Sequence, residues 1–188
     1  MIKSKTNHII NRGTGAGGAN TTKNGLSYEE LTNLDDMFKV ISTNKKLYYK
    51  KIQFNGTTQI FVQANGSGLF KYLESEKDDT VGDANGCKRP DECYIYEATK
   101  LLIIIEKKFQ QRSGSVCEKI QSTDFKRWQY GRMFPGYRIK YIYCLSNWFK
   151  NNCKEELIYF KENGIRVFWG ESTHYKERII KYLISCTQ

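Results

Sequence analysis

The chain has 188 residues, of which 39% are hydrophobic, so we predict a single domain over residues 1–188 with a hydrophobic core. No apolar run approaches the roughly 20 residues of a membrane-spanning helix, and the N-terminal MIKSKTNHII lacks the apolar stretch of a signal peptide. These features favour a soluble, cytoplasmic protein over a membrane protein. There are 30 basic and 20 acidic residues, a net charge of +10, which favours a polyanionic partner such as nucleic acid.

Residues 1–25 are polar and rich in glycine, and we predict a flexible N-terminal arm. Gly13, Gly15 and Gly18 match the GxGxxG pattern of dinucleotide-binding folds, but no strand precedes them and no helix follows at once. Gly18 is also not followed by lysine and then serine or threonine, which excludes a phosphate-binding P-loop. The alternative for this arm is a segment that becomes ordered on phosphates through backbone N–H groups and Arg12.

A first helix is predicted to begin at Ser27, because serine is a favourable N-cap and Glu30 completes a capping box. The buried stripe of this helix is predicted to consist of Leu31, Leu34, Phe38 and Ile41. Capping explains Glu30 but leaves Glu29 without a structural role. We therefore consider Glu29 a candidate functional residue, with Glu30 as the alternative.

Two strands are predicted over residues 46–54 and 58–63, because Asn55-Gly56 between them is a strong hairpin signal. A second turn is predicted at residues 65–68. Residues 74–89 are interpreted as a charged surface loop that either contributes to specificity or is simply solvated. Several lysines are interpreted as solvated charges with a weak attraction to phosphates, namely Lys3, Lys5, Lys45, Lys46, Lys50 and Lys51.

A second hairpin is predicted around a polar turn at residues 97–100, which is flanked by two apolar runs. This turn places Tyr96 opposite Leu101, and counting outward then places Asp91 opposite Glu106 on the same face of the sheet. Two like charges in that position destabilise a sheet unless a positive group lies between them. Because hard cations prefer carboxylate oxygens, the pair predicts a site for a divalent cation.

Side-chain alternation adds further groups to this carboxylate pair. Glu106, Lys108 and Gln110 share one face of the second strand of the hairpin, since a strand has a period of two residues. Residues 101–105 are apolar on both faces, as expected of a central strand that is covered on both sides. Charged residues at the end of such a strand are unusual and indicate a functional site. The Lys107 side chain is predicted to point away from this site.

The elements predicted after the hairpin are a helix at residues 116–134, a strand at 138–145, a helix at 148–162, a strand at 165–169 and a helix at 173–185. The first of these helices has Ser115 as its N-cap, and Ile120, Phe125 and Trp128 are expected to be partly buried. Its basic surface consists of Lys119, Lys126, Arg127 and Arg132. The aromatic residues beside these charges either pack within the protein or stack on bases.

The six cysteines are at positions 87, 93, 117, 144, 153 and 186, and none forms a CxxC pair. Structural zinc sites usually contain close ligand pairs, and His8 and His174 are far apart in sequence, so no zinc site is predicted. Cys93, Cys117 and Cys144 lie in predicted elements, and we interpret them as small core residues in a reducing compartment.

Pro90-Asp91, followed by a strand and then by Glu106-Lys107-Lys108, resembles the PD-(D/E)XK motif of the restriction-endonuclease-like nucleases. The stretches GLSYEELT, IIIEKKFQQRSGSVCEKIQ and YIYCLSNWF are similar to conserved blocks of one group in this superfamily, which is related to type II restriction endonucleases. The resemblance covers most of residues 13–150. It implies an α/β fold with an αβββαβ core, a mixed central sheet flanked by helices, and an appended αβα unit.

The resemblance also implies an activity, that of an endodeoxyribonuclease that depends on Mg²⁺, with Mn²⁺ as a possible substitute. The simplest case is a type II restriction endonuclease that cuts double-stranded DNA at a short specific site as a homodimer. Asp91 and Glu106 would hold the metal, with the backbone carbonyl of Lys107 as an additional ligand. Lys108 would orient the attacking water and stabilise the developing charge.

Further residues are assigned to the outer parts of the site. In the family, the helix that corresponds to GLSYEELT carries a glutamate after an aromatic residue, which here is Tyr28-Glu29. The resemblance therefore implies that Glu29 would hold a second metal or its waters. The predicted DNA-binding residues are Gln110, Arg12, Lys126, Arg127 and Arg132. Two alternatives stay open: a non-specific or structure-specific nuclease or nickase of the same fold, and a DNA-binding protein without catalysis.

Overall fold

The computed structural model describes residues 19–76, 86, 88–111 and 116–188. Arg12, the glycine pattern and Ser115 lie outside the described residues. Residues 19–25, which were assigned to the N-terminal arm on sequence grounds, belong to the first helix. In chain order the helices and strands are α1 (Ala19–Leu31), β1 (Phe38–Asn44), β2 (Tyr49–Phe54), β3 (Ile60–Ala64), α2 (Gly68–Glu76), β4 (Glu92–Tyr96), β5 (Leu101–Lys108), α3 (Val116–Gln121), α4 (Thr123–Met133), β6 (Arg138–Leu145), α5 (Phe149–Asn152), α6 (Lys154–Glu162), β7 (Arg166–Trp169) and α7 (Tyr175–Ser185).

Seven strands form one mixed sheet in the order of the sequence, and helices pack on both of its faces. The pairs from β1 to β5 are antiparallel, whereas β5, β6 and β7 are parallel neighbours. A parallel neighbour requires a crossover connection, which α3 and α4 supply before β6 and α5 and α6 supply before β7. The predicted α/β class with a mixed sheet flanked by helices is confirmed. Among the described helices, none combines the length and the apolar character needed to cross a membrane.

Strand β5 is buried from both sides. Leu102 and Ile104 belong to the cluster formed with α2, α3, α4 and α6, whereas Ile103 and Ile105 belong to the cluster formed with α1 and α7. All four side chains are 0% exposed. Full burial of one such side chain contributes about 1.5–3 kcal/mol to stability. The two layers therefore hold β5 firmly, and this strand carries the charged residues at its end.

The hairpin of β4 and β5 has the predicted register. Tyr96 pairs with Leu101, and the pairing continues without a shift along both strands. Extending it by one residue places Asp91 across from Glu106, as the sequence predicts. The register matters because a slip of one residue would turn Glu106 to the other face of the sheet.

The turn of this hairpin is a short 3-10 helix, Glu97–Thr99, followed by Lys100 with φ 48° in the left-handed region. The Glu97 carboxylate accepts hydrogen bonds from the hydroxyl of Tyr72 at 3.0 Å and from that of Tyr137 at 2.7 Å. It also forms an ion pair with Lys100. One carboxylate thus connects the turn to α2 and to the segment that precedes β6.

The first helix differs from the prediction. Helix α1 ends at Leu31, and Ser27, the predicted N-cap, lies inside it. Leu31 is 59% exposed, so it is not part of a buried stripe. Phe38 and Ile41, which were predicted to continue that stripe, lie in β1.

Tertiary packing explains the position of α1. Tyr28 is 3% exposed and packs against Gly170, where a Cβ atom would overlap with the Tyr28 hydroxyl. Just after the helix, the Thr32 hydroxyl donates a hydrogen bond to the Tyr28 carbonyl at 2.7 Å. A local capping pattern does not encode a contact between α1 and the end of β7. In β1, the β-branched Val40 and Ile41 favour an extended backbone, and β2 supplies the backbone partner.

The predicted hairpin around Asn55-Gly56 is formed by β2 and β3, which pair antiparallel, and Gly56 has φ 73°. The sequence does not predict α2, whose last turn lies in the segment interpreted as a surface loop. Leu69 and Leu73 of α2 are buried in the core. The turn at residues 65–68 therefore leads directly into a helix that covers the sheet.

The predicted β6, β7 and α7 are present. The single helix predicted between β5 and β6 is two helices, α3 and α4. Ile120 is more buried than predicted, at 0% exposed, whereas Phe125 and Trp128 are 57% and 55% exposed, so the prediction of partial burial is wrong for these two. The reason is the orientation of α4, which turns Tyr130 and Met133 toward the sheet instead.

The helix predicted over residues 148–162 is interrupted at Cys153, between α5 and α6. Cys153 forms a disulfide with Cys117 of α3, and their Cα atoms are 5.8 Å apart. The interpretation of Cys117 as a free core cysteine is therefore wrong. The sequence does not reveal this pairing, because 36 residues separate the two cysteines and only folding brings their helices together. Cys93 and Cys144 are free and buried, as expected.

Candidate functional site

Asp91 and Glu106 lie at the end of the sheet where β5 terminates. Asp91 precedes β4, and its Oδ2 accepts a hydrogen bond from the backbone N–H of Lys107 at 2.7 Å. This bond holds the Asp91 carboxylate against β5, one residue beyond the regular strand pairing. The side chains of Asp91 and Glu106 are 23% and 9% exposed, so Asp91 is the more accessible of the two carboxylates.

The ammonium group of Lys108 lies where three oxygens converge. Its Nζ is 2.7 Å from Glu106 Oε1 and 3.4 Å from Asp91 Oδ2. It also donates a hydrogen bond to the backbone carbonyl of Lys107 at 3.1 Å. These three oxygens belong to the groups that the sequence and the resemblance assign as metal ligands. The positive group expected between the two carboxylates is, in this structure, an ammonium of the chain itself.

Glu106 has two further partners. Lys126 of α4 lies 2.8 Å from Oε1, and the hydroxyl of Tyr141 in β6 donates to Oε2 at 2.9 Å. Lys126, which was predicted to contribute to a basic surface for DNA, has a side chain only 12% exposed and points at the carboxylate. Glu106 pairs with Tyr143 in the parallel register, so alternation along β6 could have placed Tyr141 on the same face. No local signal marks Lys126.

The charges in this cluster shift one another's pKa. Burial alone would raise the pKa of Glu106, but Lys108 and then Lys126 outweigh burial and lower it. Burial raises the pKa of Asp91, and the attraction of Lys108 offsets this only in part. For Lys108, burial disfavours the charged form, but Glu106 and then Asp91 outweigh it and raise the pKa. At neutral pH, Glu106 and Lys108 are therefore both charged.

Glu29 of α1 lies near the same cluster. Its side chain is exposed, yet partial burial and then the charge of Asp91 raise its pKa. The backbone carbonyl of Glu29 also accepts a hydrogen bond from Lys107 Nζ at 3.5 Å. These contacts favour Glu29 over Glu30 as the glutamate of α1 that belongs to the site.

Lys107 occupies the opposite face of β5, as predicted. Its Nζ lies 2.7 Å from Glu92 Oε2, and the two side chains are 5% and 4% exposed. The Tyr94 hydroxyl donates a second hydrogen bond to Glu92. The Lys107 side chain thus has a structural role in the buried layer, whereas its backbone N–H and carbonyl face Asp91 and Lys108.

The remaining predicted site residues are dispersed. Gln110 follows β5, and its backbone N–H and carbonyl both bond to the Ser146 hydroxyl, at 3.1 and 3.0 Å. Arg127 lies 3.7 Å from Asp124 in an ion pair on the surface of α4. Arg132 lies over the ring of Trp128. Arg127 also donates a hydrogen bond to the Asn163 carbonyl at the end of α6, at 3.5 Å. Gln110 is therefore at the cluster's end of the sheet, while the described contacts of Arg127 and Arg132 are with the protein itself.

One other group of side chains has the spacing of metal ligands. In the part of the chain that the structure describes, Cys117, Cys153 and Glu156 form the one trio of Cys, His, Asp or Glu with ligand atoms all within 4.8 Å. The disulfide leaves neither cysteine as a thiolate, which is the form that binds metals. The carboxylate oxygens of the cluster, those of Glu29, Asp91 and Glu106, do not all lie within 4.8 Å of one another. The carboxylate cluster therefore depends on the Lys107 carbonyl for a third nearby oxygen.

The cluster combines hard oxygen donors with a partly exposed ammonium group at the end of a rigid strand. Such donors suit Mg²⁺ or Mn²⁺, and an ammonium beside them suits the stabilisation of negative charge on a phosphate group. No protein-family model, curated protein or solved structure matches this chain.

Proposed function

We propose that the protein is a Mg²⁺-dependent endodeoxyribonuclease of the PD-(D/E)XK superfamily that acts as a type II restriction endonuclease. The observation that carries this proposal is the convergence of Asp91, Glu106 and the Lys107 carbonyl on the ammonium of Lys108. Strand β5 and the residue that immediately precedes β4 supply all of these groups. A carboxylate pair with a lysine at its centre fits phosphodiester hydrolysis better than it fits a purely structural contact.

The order of the elements supports this assignment. Helix α1 precedes the antiparallel strands β3, β4 and β5, and α3 and α4 then cross over to β6, which is parallel to β5. This succession is compatible with the αβββαβ core of the restriction-endonuclease-like fold. Strands β1 and β2 and helix α2 would be additions, and α5 to α7 with β7 would be the appended αβα unit.

The residues of the site fit a divalent metal, because Asp91, Glu106 and the Lys107 carbonyl offer hard oxygen ligands. A bound Mg²⁺ or Mn²⁺ would lower the pKa of a coordinated water and neutralise charge on the phosphate oxygens. Lys108 would leave these oxygens and place its ammonium against the phosphate, where it would stabilise the negative charge that develops.

Other residues would support this arrangement. Lys126 and Tyr141 would be positioning residues, because they hold both oxygens of Glu106 in place. Glu29 would hold a second metal or its waters, since it is close enough to Asp91 for the two charges to interact. Gln110 would approach the scissile region from the end of β5.

Double-stranded DNA is the proposed substrate, because a net charge of +10 favours a polyanion. Homodimerisation on a two-fold site is proposed from the resemblance alone. A dimer would let two carboxylate clusters cut the two strands of one site.

The test is to incubate purified protein with closed circular plasmid in Mg²⁺, in Mn²⁺ and in excess chelator, followed by gel electrophoresis. We expect discrete linear fragments with metal and intact plasmid with chelator. Conversion to open circles alone would indicate a nickase. Full cleavage in chelator would contradict the proposed metal dependence.

Lys108→Ala separates chemistry from binding. Loss of a group that stabilises charge in the transition state should lower the cleavage rate by roughly 100-fold or more. DNA binding should weaken only slightly, because one of 30 basic residues is removed. Metal binding, measured by titration calorimetry, should become tighter, because the ammonium no longer competes for the three oxygens. Lys161→Ala, at the exposed end of α6, is the matched control and should change none of these quantities.

A second candidate function is DNA binding without catalysis. It is favoured by the observation that Glu106 already has three partners, Lys108, Lys126 and Tyr141, so its charge is compensated without a metal. A gel shift with no cleavage in Mg²⁺ or Mn²⁺, together with no metal binding in the calorimeter, would favour this candidate over the nuclease.

A further inference from the structure

A groove of about 620 Å³ lies beside β1, β2 and β3, at the same end of the sheet as the carboxylate cluster. Strand β1 ends at this groove, β2 begins there and β3 ends there, as their pairing shows. Strand β5 also terminates at this end of the sheet, because β3, β4 and β5 pair antiparallel in sequence. The groove and the cluster therefore lie at the same end of the sheet, with Lys50 and Gln63 of the groove on the face that carries Tyr94, and Glu106 on the other face.

The groove is positively charged. Lys45, Lys50 and Arg89 line it, and Asp35 is the one acidic residue among its described lining residues. Lys50 is paired with Asp35 at 3.4 Å, which leaves the charges of Lys45 and Arg89 in excess. A concave surface with an excess of one charge concentrates ligands of the opposite charge. The expected ligand is therefore anionic, and phosphates are the anions that basic side chains bind most often on nucleic acids.

Tyr48 presents an aromatic ring in this groove. The residue is 63% exposed and has φ 59°, a conformation that is unfavourable for a bulky side chain. Gly68 makes this conformation possible, since a Cβ atom at Gly68 would overlap with the Tyr48 carbonyl. The ammonium of Lys71 lies 4.1 Å from the centroid of the ring. The turn between β1 and β2 therefore holds an exposed aromatic ring at the groove.

Amide side chains complete the lining of the groove. Asn44, Gln63 and Asn65 line it. The Asn44 amide donates to the Tyr49 hydroxyl and accepts from the Leu47 backbone N–H, and Gln63 is 5% exposed. Gln63 and Asn65 lie 3.4 Å apart, side chain to side chain, so they form one polar wall. Cations, an exposed aromatic ring and amides together are the features by which proteins hold a nucleic-acid strand, through its phosphates, by base stacking and by base edges.

The distance between the groove and the cluster suits one bound strand. Neighbouring strands are about 4.8 Å apart, so β3 and β2 lie roughly 10–14 Å from β5. This span corresponds to about three or four nucleotides of B-DNA. Arg89 belongs to the segment that leads to Asp91, and the Pro90 carbonyl accepts a hydrogen bond from the Gly66 backbone at 3.0 Å. The chain therefore joins the groove directly to the carboxylate cluster.

We propose that this groove binds a segment of the DNA substrate a few nucleotides from the cleaved phosphate, with phosphates on Lys45 and Arg89 and an unstacked base on Tyr48. The proposal rests on the proposed nuclease function for the identity of the substrate. Binding in the groove itself requires neither the metal nor the carboxylate cluster, so the two proposals are tested separately.

The test measures fluorescence anisotropy of a labelled single-stranded oligonucleotide of mixed sequence, in excess EDTA so that no cleavage occurs. Tyr48→Asn removes the ring but keeps a residue that tolerates a positive φ, and it should weaken binding roughly tenfold. Lys45→Ala and Arg89→Ala should each weaken binding and reduce the slope of log affinity against log salt by about 0.7. Lys161→Ala, in the helix that leads into the start of β7, is the charge-matched control and should bind like the wild type.

Each variant is checked for its fold by circular dichroism, and the three groove variants are independent of one another. Loss of affinity in the folded groove variants supports the groove proposal. Failure of the wild type to cut plasmid would contradict only the nuclease function. Wild-type affinity and salt slope in all folded groove variants would overturn the groove proposal, and plasmid cleavage would then still stand. Absence of oligonucleotide binding by the wild type would also overturn it.

Discussion

Lys107 and Glu92 form an ion pair inside the protein, with side chains 5% and 4% exposed. Removal of one partner leaves the other charge buried without compensation, which costs about 3–5 kcal/mol. We therefore expect Lys107→Ala to lower the free energy of unfolding by an amount in that range. Urea denaturation followed by circular dichroism measures this quantity.

The control is the double variant Lys107→Met with Glu92→Gln, which removes both charges together and should recover most of the lost stability. An unfolding free energy of Lys107→Ala close to that of the wild type would show that the pair is not buried in solution. Because the side chain stabilises the fold, Lys107→Ala is a poor control for Lys108→Ala, although it points away from the cluster. Lys161→Ala is the better control for that experiment.

At the scale of elements, the turn between β4 and β5 depends on an ionised Glu97. Burial alone would raise the pKa of Glu97, but hydrogen bonds from Lys100, Tyr137 and Tyr72 outweigh burial and lower it below 4.5. A carboxylate with a lowered pKa stabilises the folded state above its unfolded pKa, and this contribution disappears as pH falls through the folded pKa. The hairpin should therefore loosen in acid.

Glu97→Gln tests this dependence. The Glu97 side chain is 35% exposed, so solvent screening limits the expected loss at neutral pH to about 1 kcal/mol or less. The difference in unfolding free energy between wild type and variant should shrink as pH falls below the ordinary glutamate pKa. Urea titrations across acid and neutral pH measure the difference, and a gap independent of pH would refute this role of Glu97.

The disulfide between Cys117 and Cys153 ties α3 to the junction of α5 and α6. A cross-link that closes a loop of 36 residues restricts the unfolded chain and typically stabilises a protein by about 2–4 kcal/mol. Cys153→Ser should lose this stability, and reduction of the wild type should produce the same loss. Thermal unfolding with and without reductant measures it. Cys186→Ser is the control and should unfold like the wild type, because Cys186 is free.

At the scale of the whole molecule, the net charge of +10 predicts how DNA binding depends on salt. Each phosphate contact releases counterions, so the logarithm of the affinity should fall linearly with the logarithm of salt, by about 0.9 per contact on duplex DNA. Anisotropy titrations at several salt concentrations in EDTA measure this slope. Affinity that does not change with salt would contradict an electrostatic mode of binding.

The central hairpin of β4 and β5 follows from local sequence patterns. The polar turn at residues 97–100 and the apolar runs beside it define the register that Tyr96 and Leu101 show in the structure. A slip of one residue would expose a whole core face, so the local pattern suffices to bring Asp91 and Glu106 to one end of the sheet. The strand β6 and the helix α7 follow in the same way from their own periodicity.

The residues of other elements that contact this hairpin depend on long-range packing instead. Lys126 reaches Glu106 from 20 residues further along the chain, and Cys117 reaches Cys153 across 36. The place of α1 depends on Tyr28 packing against Gly170 from the far end of the chain. Such contacts arise when whole helices settle on the sheet, where many small packing energies add up. Strand register is encoded within a few neighbouring residues, whereas the position of a helix depends on the summed packing energy of the entire core.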